Sequence, residues 1–149
     1  MSEERPKRPE VIERMGQNPP HRADVAGLMS KVFALDRRIR YCAILDKTGI
    51  IIFGGMRPGR RSFEPEEEAR KVDGQMAVIR GMTEGSVQYF GKTRFFIINR
   101  EKLMLVAIPQ GDGNTIEIST QPDFPLEGVK ALIKTVRTSY RRKESREAN

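Results

Sequence analysis

Apolar positions along the chain change their spacing several times, and each change marks an element. Val25, Leu28, Met29, Val32 and Phe33 recur at i, i+3, i+4, i+7 and i+8, the spacing of one helical face. They predict a helix from an Asp24 N-cap to about Leu35, with Lys31 on its opposite side. Past Asp36-Arg37-Arg38 the pattern becomes an almost continuous apolar run from Ile39 to Leu45. Tyr41, Ala43 and Leu45 on one parity and Cys42 and Ile44 on the other suggest a strand covered on both faces. The polar break Asp46-Lys47-Thr48-Gly49 separates it from a second run, Ile50 to Phe53. Two such runs around an Asp/Gly turn predict a hairpin, expected at the middle of a small sheet. Gly54-Gly55 then ends the second strand and opens a loop carrying Arg57, Arg60 and Arg61.

Helical spacing returns after Pro65, a residue suited to a first helical turn, and Glu66, Glu67 and Glu68 complement the helix dipole there. Ala69, Val72, Met76 and Ile79 form the apolar stripe. Gly74 and Gly81 interrupt it at about 1 kcal/mol each relative to alanine, a cost that suits close approach of another backbone. Ser86 to Phe90 fits either a turn or an extra strand. Thr93 to Ile98, Leu103 to Ile108 and Thr115 to Thr120 read as three more strands, separated by Asn99-Arg100-Glu101-Lys102 and by the Pro109-to-Asn114 loop. In the last of these, Ile116 and Ile118 alternate with Thr115, Glu117 and Ser119. Pro122 and Pro125 precede a final helix with the stripe Leu126, Val129, Leu132, Ile133 and Val136, expected to fray into Tyr140-Arg141-Arg142-Lys143. The order is α-β-β-α-β-β-β-α, an α+β domain with a five-stranded antiparallel sheet and three flanking helices.

Length and charge add boundaries to this picture. The 149 residues fit one domain, placed at 23–141, between a mixed-charge tail at 1–22 and a charged tail at 142–149. Pro6, Pro9, Pro19 and Pro20 and the absence of sustained periodicity predict disorder in the first tail, though Val11, Ile12 and Met15 suit a short turn. A formal charge of +7 favours an acidic partner or simply keeps the chain soluble. The N-terminus lacks a signal-peptide pattern and no apolar run is long enough for a membrane span, so a cytoplasmic location is expected.

Catalytic chemistry finds little support in the residues. The single cysteine, Cys42, sits in an apolar strand, and the single histidine, His21, lies before the domain. Neither a disulfide, a cysteine zinc cage nor a nucleophile–histidine pair is available within the domain. Gly54 and Gly59 have Walker A separation, but Arg60 and Arg61 stand where lysine and serine or threonine are needed. Arg57, Arg60 and Arg61 remain a candidate anion-binding group, or basic residues guarding a sheet edge. Arg137, Arg141, Arg142, Lys143 and Arg146 give a basic C-terminus that suits nonspecific nucleic-acid binding. No cofactor and no metal are expected, and the chain reads as a non-enzyme.

The order of elements resembles the roadblock/longin type of profilin-like α/β sandwich. Ile39-Arg40-Tyr41-x-x-Ile44-Leu45-Asp46-x-x-Gly49, followed by Gly54-Gly55-Met56-Arg57-x-Gly59, resembles a family of small archaeal roadblock-like proteins over residues 24–140. That resemblance carries over no catalytic residues. It implies a non-enzymatic dimerising scaffold or regulatory module for a small GTPase or a signalling complex. It also implies a homodimer formed along the apolar strand Thr93–Asn99 and the middle helix. The candidate interface residues are Gly74, Gly81, Thr93, Phe95 and Ile97. The same topology resembles PAS-like sensors, which leaves a small anionic ligand at the Arg57–Arg61 loop as the alternative.

Overall fold

A computed structural model describes the backbone of residues 22–147 and the side chains of residues 25–140. The first tail, with Val11, Ile12, Met15 and His21, and the basic side chains beyond Tyr140 lie outside the described residues. The elements run α1 (Arg22–Leu35), β1 (Ile39–Leu45), β2 (Ile51–Met56), α2 (Glu66–Glu84), α3 (Val87–Phe90), β3 (Phe96–Asn99), β4 (Met104–Pro109), β5 (Thr115–Thr120) and α4 (Leu126–Glu147). The five strands form one antiparallel sheet in the order β2-β1-β5-β4-β3.

The two faces of this sheet are covered unequally. On one face, Cys42, Ile44, Val106, Ile108, Ile116 and Ile118 meet α1 and α4 through Val25, Leu28, Val32, Val129, Leu132 and Val136, all fully buried. Among the described residues, the other face is covered by α2 alone. There Ala43, Leu45 and Leu105 bury Met76, while Tyr41, Val72, Ile79, Phe96, Ile98 and Leu103 are only partly enclosed. The first face is a closed core; the second is half of one.

Several elements differ from their expected extents. The helix α1 already includes Arg22 and Ala23, upstream of the expected Asp24 cap. Strand β2 runs through Gly54-Gly55 to Met56 and does not stop at Phe53. Gly54 pairs with Ala43 at a φ of 117°, and a Cβ there would stand 2.3 Å from the Cys42 carbonyl oxygen. Only a glycine lets β2 lie that close to β1. The hairpin is also not central: β2 is an edge, and β5, last in the chain, inserts beside β1 to become the middle strand.

Ser86 to Phe90 forms the single helical turn α3 rather than a strand. Strand β3 starts at Phe96, three residues after Thr93. Its pairing of Phe96 with Ala107 would bring Arg94 opposite Pro109, which has no N–H to give the ladder. At the other end α4 continues past Tyr140 to Glu147. Tyr140 is itself buried, and its hydroxyl donates to Asp112 and accepts from Asn114. That contact pins α4 to the β4–β5 loop.

Candidate functional site

The most unusual surface belongs to α2. A helix of 19 residues normally buries a full apolar stripe, yet only Asp73 and Met76 of this one are buried. Gly74, Val78, Gly81 and Met82 fall at i, i+4, i+7 and i+8 and form a second stripe on the outer side. Val78 is 63 % exposed and Met82 77 % exposed, and a Cβ at Gly74 or Gly81 would meet nothing. The stripe leads into Tyr89 and Phe90 of α3, which are exposed and stand edge to face at 6.4 Å. Phe95, also exposed, follows just before β3.

Strand β3 closes the half-covered face of the sheet, its Phe96 and Ile98 joining the cluster under the inner side of α2. It pairs only with β4, so its outer backbone edge is open among the described residues. Ile97 points to the two-helix core, whereas Phe96 and Ile98 face the α2 side and stay half-buried. Thr93 precedes the strand and donates from its hydroxyl to that of Thr83 at 2.6 Å. The expected interface residues thus divide. Gly74 and Gly81 are on the open stripe, Phe95 is exposed beside it, and Thr93 and Ile97 serve internal contacts.

Three devices hold α2 in place, and each is polar or steric. Arg80 is the first. Its guanidinium donates to the carbonyl oxygens of Gln110 at 2.9 Å, of Gly113 at 2.9 Å and of Asn114, and to Thr115 Oγ1 at 2.8 Å, while Nε meets Glu84. The β1–β2 turn is the second. Gly49, at a φ of 86°, abuts the α2 backbone so closely that a Cβ would stand 2.7 Å from the Asp73 carbonyl oxygen.

The third is a pair of buried acids. Glu117, on the central strand, is 1 % exposed and points up to α2, where Asp73 is also buried. Its neighbours across the sheet are Ala43 and Ala107, small residues that leave room for the carboxyl group. Burial pushes the Asp73 carboxyl up to about 6, with Glu64 adding to the rise and a hydrogen bond from Glu117 opposing it. Burial pushes Glu117 well above the usual carboxylate range, and the charge of Asp73 raises it further. Glu117 Oε2 has no hydrogen-bond partner, and a second buried carboxylate beside it leaves like charges unbalanced. A proton on Glu117, donated to Asp73, resolves both problems.

The arginine loop is largely spent on the backbone. Arg57 donates from Nε to the Ile39 carbonyl oxygen at 2.7 Å and from Nη2 to those of Phe33 and Asp36. These include carbonyls at the C-terminal end of α1, so Arg57 caps that helix. Arg60 donates to the Arg37 carbonyl oxygen at 2.9 Å. Arg40, buried beside them, donates to the Arg61 carbonyl oxygen and lies 4.1 Å over the Phe63 ring. Arg61 itself is exposed. Cys42 is a free, buried thiol that burial pushes up to about 12, in keeping with a small hydrophobe. No group of His, Cys, Asp and Glu among the described residues forms a metal cage.

No protein-family model matches the chain, and no curated protein matches its sequence. Solved structures do match. The gliding protein MglB from Thermus thermophilus superposes with a TM-score of 0.66 at 14 % identity, covering 92 % of this chain and 98 % of that one. MglB in a tetrameric arrangement gives 0.68 at 16 %, over 92 % and 97 %. A roadblock/LC7 domain from Streptomyces avermitilis gives 0.54 at 13 %, over 75 % and 93 %. The chain has the roadblock fold.

Within this roadblock fold, Arg80, the Asp73–Glu117 pair and the outward Val78 and Met82 all escaped the sequence. Val78 and Met82 did leave a signal, being apolar residues of a helix that fall outside its inner stripe. Glu117 left none, because a Thr-Ile-Glu-Ile-Ser alternation is what a strand with one wet face also shows.

Proposed function

We propose that this chain is a non-catalytic roadblock-type module that works as a homodimer, docking α2 and the β3 edge of one copy against those of another. The observation that carries this reading is the outer stripe of α2, Gly74-Val78-Gly81-Met82, beside a half-covered sheet face and an open strand edge. A second copy would cover the apolar stripe and extend the sheet in one step. The glycines would let two helix backbones come close. The tetrameric arrangement of the structurally similar MglB supports a fold that assembles with itself.

The partner proposed for the dimer is a small GTPase, by resemblance to roadblock regulators. Pull-down of the tagged chain from its native extract, scored for a GTPase in stoichiometric amount, tests that part. A GTPase lost together with dimerisation in Met82→Glu supports it; a dimer that retains no GTPase contradicts it. An anionic ligand at the Arg57–Arg61 loop is the weaker reading, since Arg57 and Arg60 donate into backbone carbonyls.

A further inference from the structure

Two acids buried together under a helix that buries only two of its side chains call for an explanation beyond packing. A hydrophobic pair would fill the space between Ala43, Ala107 and α2 at lower cost. The groups that face the pair are themselves acidic or neutral. From β1 comes Tyr41, whose phenol is raised by burial and by the Glu117 charge, while Cys42 of the same strand lies on the opposite face. From the loop before α2 comes Glu64, which disfavours a further negative charge. The adjoining positions of β4 and β3 are Ala107, Leu105 and Phe96, none of them ionisable. On α2, Arg70 and Lys71 are exposed and paired with Glu66 and Glu68, and Arg80 is committed to the β4–β5 loop. Among the described residues no cation pairs with either carboxyl. Within the described residues, a proton is what remains to neutralise them.

The position of the pair gives that proton mechanical weight. Asp73 and Met76 are the only buried residues of α2, and with the half-buried Val72 and Ile79 they seat the helix on the sheet. We propose that Asp73 and Glu117 form a proton-held latch: with a proton between them α2 lies docked on the sheet, and with the proton lost to solvent the helix lifts. Lifting α2 displaces the Gly74-Val78-Gly81-Met82 stripe, and self-association weakens as pH rises. This last consequence rests on the homodimer proposed above; the latch does not.

Hydrogen–deuterium exchange of the full chain between pH 5.5 and 8.5 tests the latch, with rates corrected for the intrinsic pH dependence of exchange. The α2 amides are compared with those of β4 and β5, and sedimentation is run on the same samples. Protection of α2 should fall with rising pH, approaching tenfold per pH unit for one linked proton between the open-state value of about 4 and the raised value of the latched pair. Glu117→Gln, whose amide donates to Asp73 without titrating, should abolish this slope; Asp73→Asn is the second variant should the first fail to fold. Protection that is independent of pH in the native chain overturns the latch, as does a slope retained in the variants. A slope that the variants lose, in a chain monomeric at every pH, upholds the latch and removes the dimer instead. A dimer with no slope removes the latch and leaves the dimer standing.

Discussion

Arg57 lies with its guanidinium carbon 5.0 Å over the ring of Phe33 and donates to the carbonyl oxygen of the same residue. One side chain from the exit of β2 thus closes the end of α1, two elements away in the chain. The C-terminal carbonyls of a helix lack partners of their own, and Arg57 supplies donors to those of Phe33 and Asp36 together with Ile39. Replacing it with alanine removes a donor from each of three acceptors, of which the Asp36 carbonyl keeps the Ile39 N–H. Arg57→Ala is expected to cost about 2–3 kcal/mol, the scale of hydrogen bonds made by a charged group, read as a lower urea midpoint. A loss within about 0.5 kcal/mol, the range typical of surface substitutions, would contradict the capping role.

Gly49 predicts a steric effect of similar size. Its φ of 86° and the 2.7 Å between a would-be Cβ and the Asp73 carbonyl oxygen leave alanine neither conformation nor space. The obstacle is helix backbone, which cannot swing away as a side chain can. Gly49→Ala should destabilise by about 1–3 kcal/mol and reduce protection of α2 before that of β5. Uniform loss of protection across both elements would show that the turn does not act on α2.

Arg80 holds the other half of α2 through acceptors on Gln110, Gly113, Asn114 and Thr115. Arg80→Met keeps the aliphatic stem and removes every donor. The expected loss is about 2–3 kcal/mol in chemical denaturation. An unchanged midpoint would contradict the clamp.

Stability should depend on pH in two opposed ways. The raised Asp73 and Glu117 groups hold protons in the folded chain that the unfolded chain releases near pH 4. Their contribution is complete below that point and is lost as pH rises toward the folded values, being gone above about 6 for Asp73 and persisting to higher pH for Glu117. Asp36 acts at the acid end, where its hydrogen bonds and charge pairing with Arg38 lower it to about 2. Its contribution is present above the unfolded value and lost as pH falls through about 2. Thermal unfolding from about pH 3 to 9 should therefore give a maximum near pH 4, with the alkaline limb flattened in Glu117→Gln. An alkaline limb that stays unchanged in that variant would contradict the assignment.

The strands and helices that pack by simple periodicity were legible in the chain. Val25, Leu28 and Val32 turned inward as their spacing demanded, as did Val129, Leu132 and Val136. What was hidden depends on partners far apart in sequence. The central place of β5 follows from strand order, which no local pattern encodes, and the burial of Glu117 follows from that place. Arg57 and Arg60 looked free because a guanidinium that donates to backbone carbonyls has no sequence partner to reveal it. Gly54 looked like a strand end because its use, close approach to Ala43 and Cys42, appears only once the pairing is known. Gly74 and Gly81 were legible as permissive positions. The outer stripe they share with Val78 and Met82 emerged only when Met76 and Asp73 were seen to face the sheet.

The central claim is that this outer stripe seats a second copy of the chain. Sedimentation equilibrium at micromolar concentration measures it most directly, on the native chain and on Met82→Glu. Met82 is 77 % exposed, so the charge should leave the thermal midpoint of a monomer unchanged. The native chain should sediment at twice its 17.0 kDa, and Met82→Glu should raise the dissociation constant at least tenfold, the effect of losing about 1.4 kcal/mol at an interface. A native chain that sediments as a single 17.0 kDa species, or a dimer that Met82→Glu leaves intact, would contradict the account.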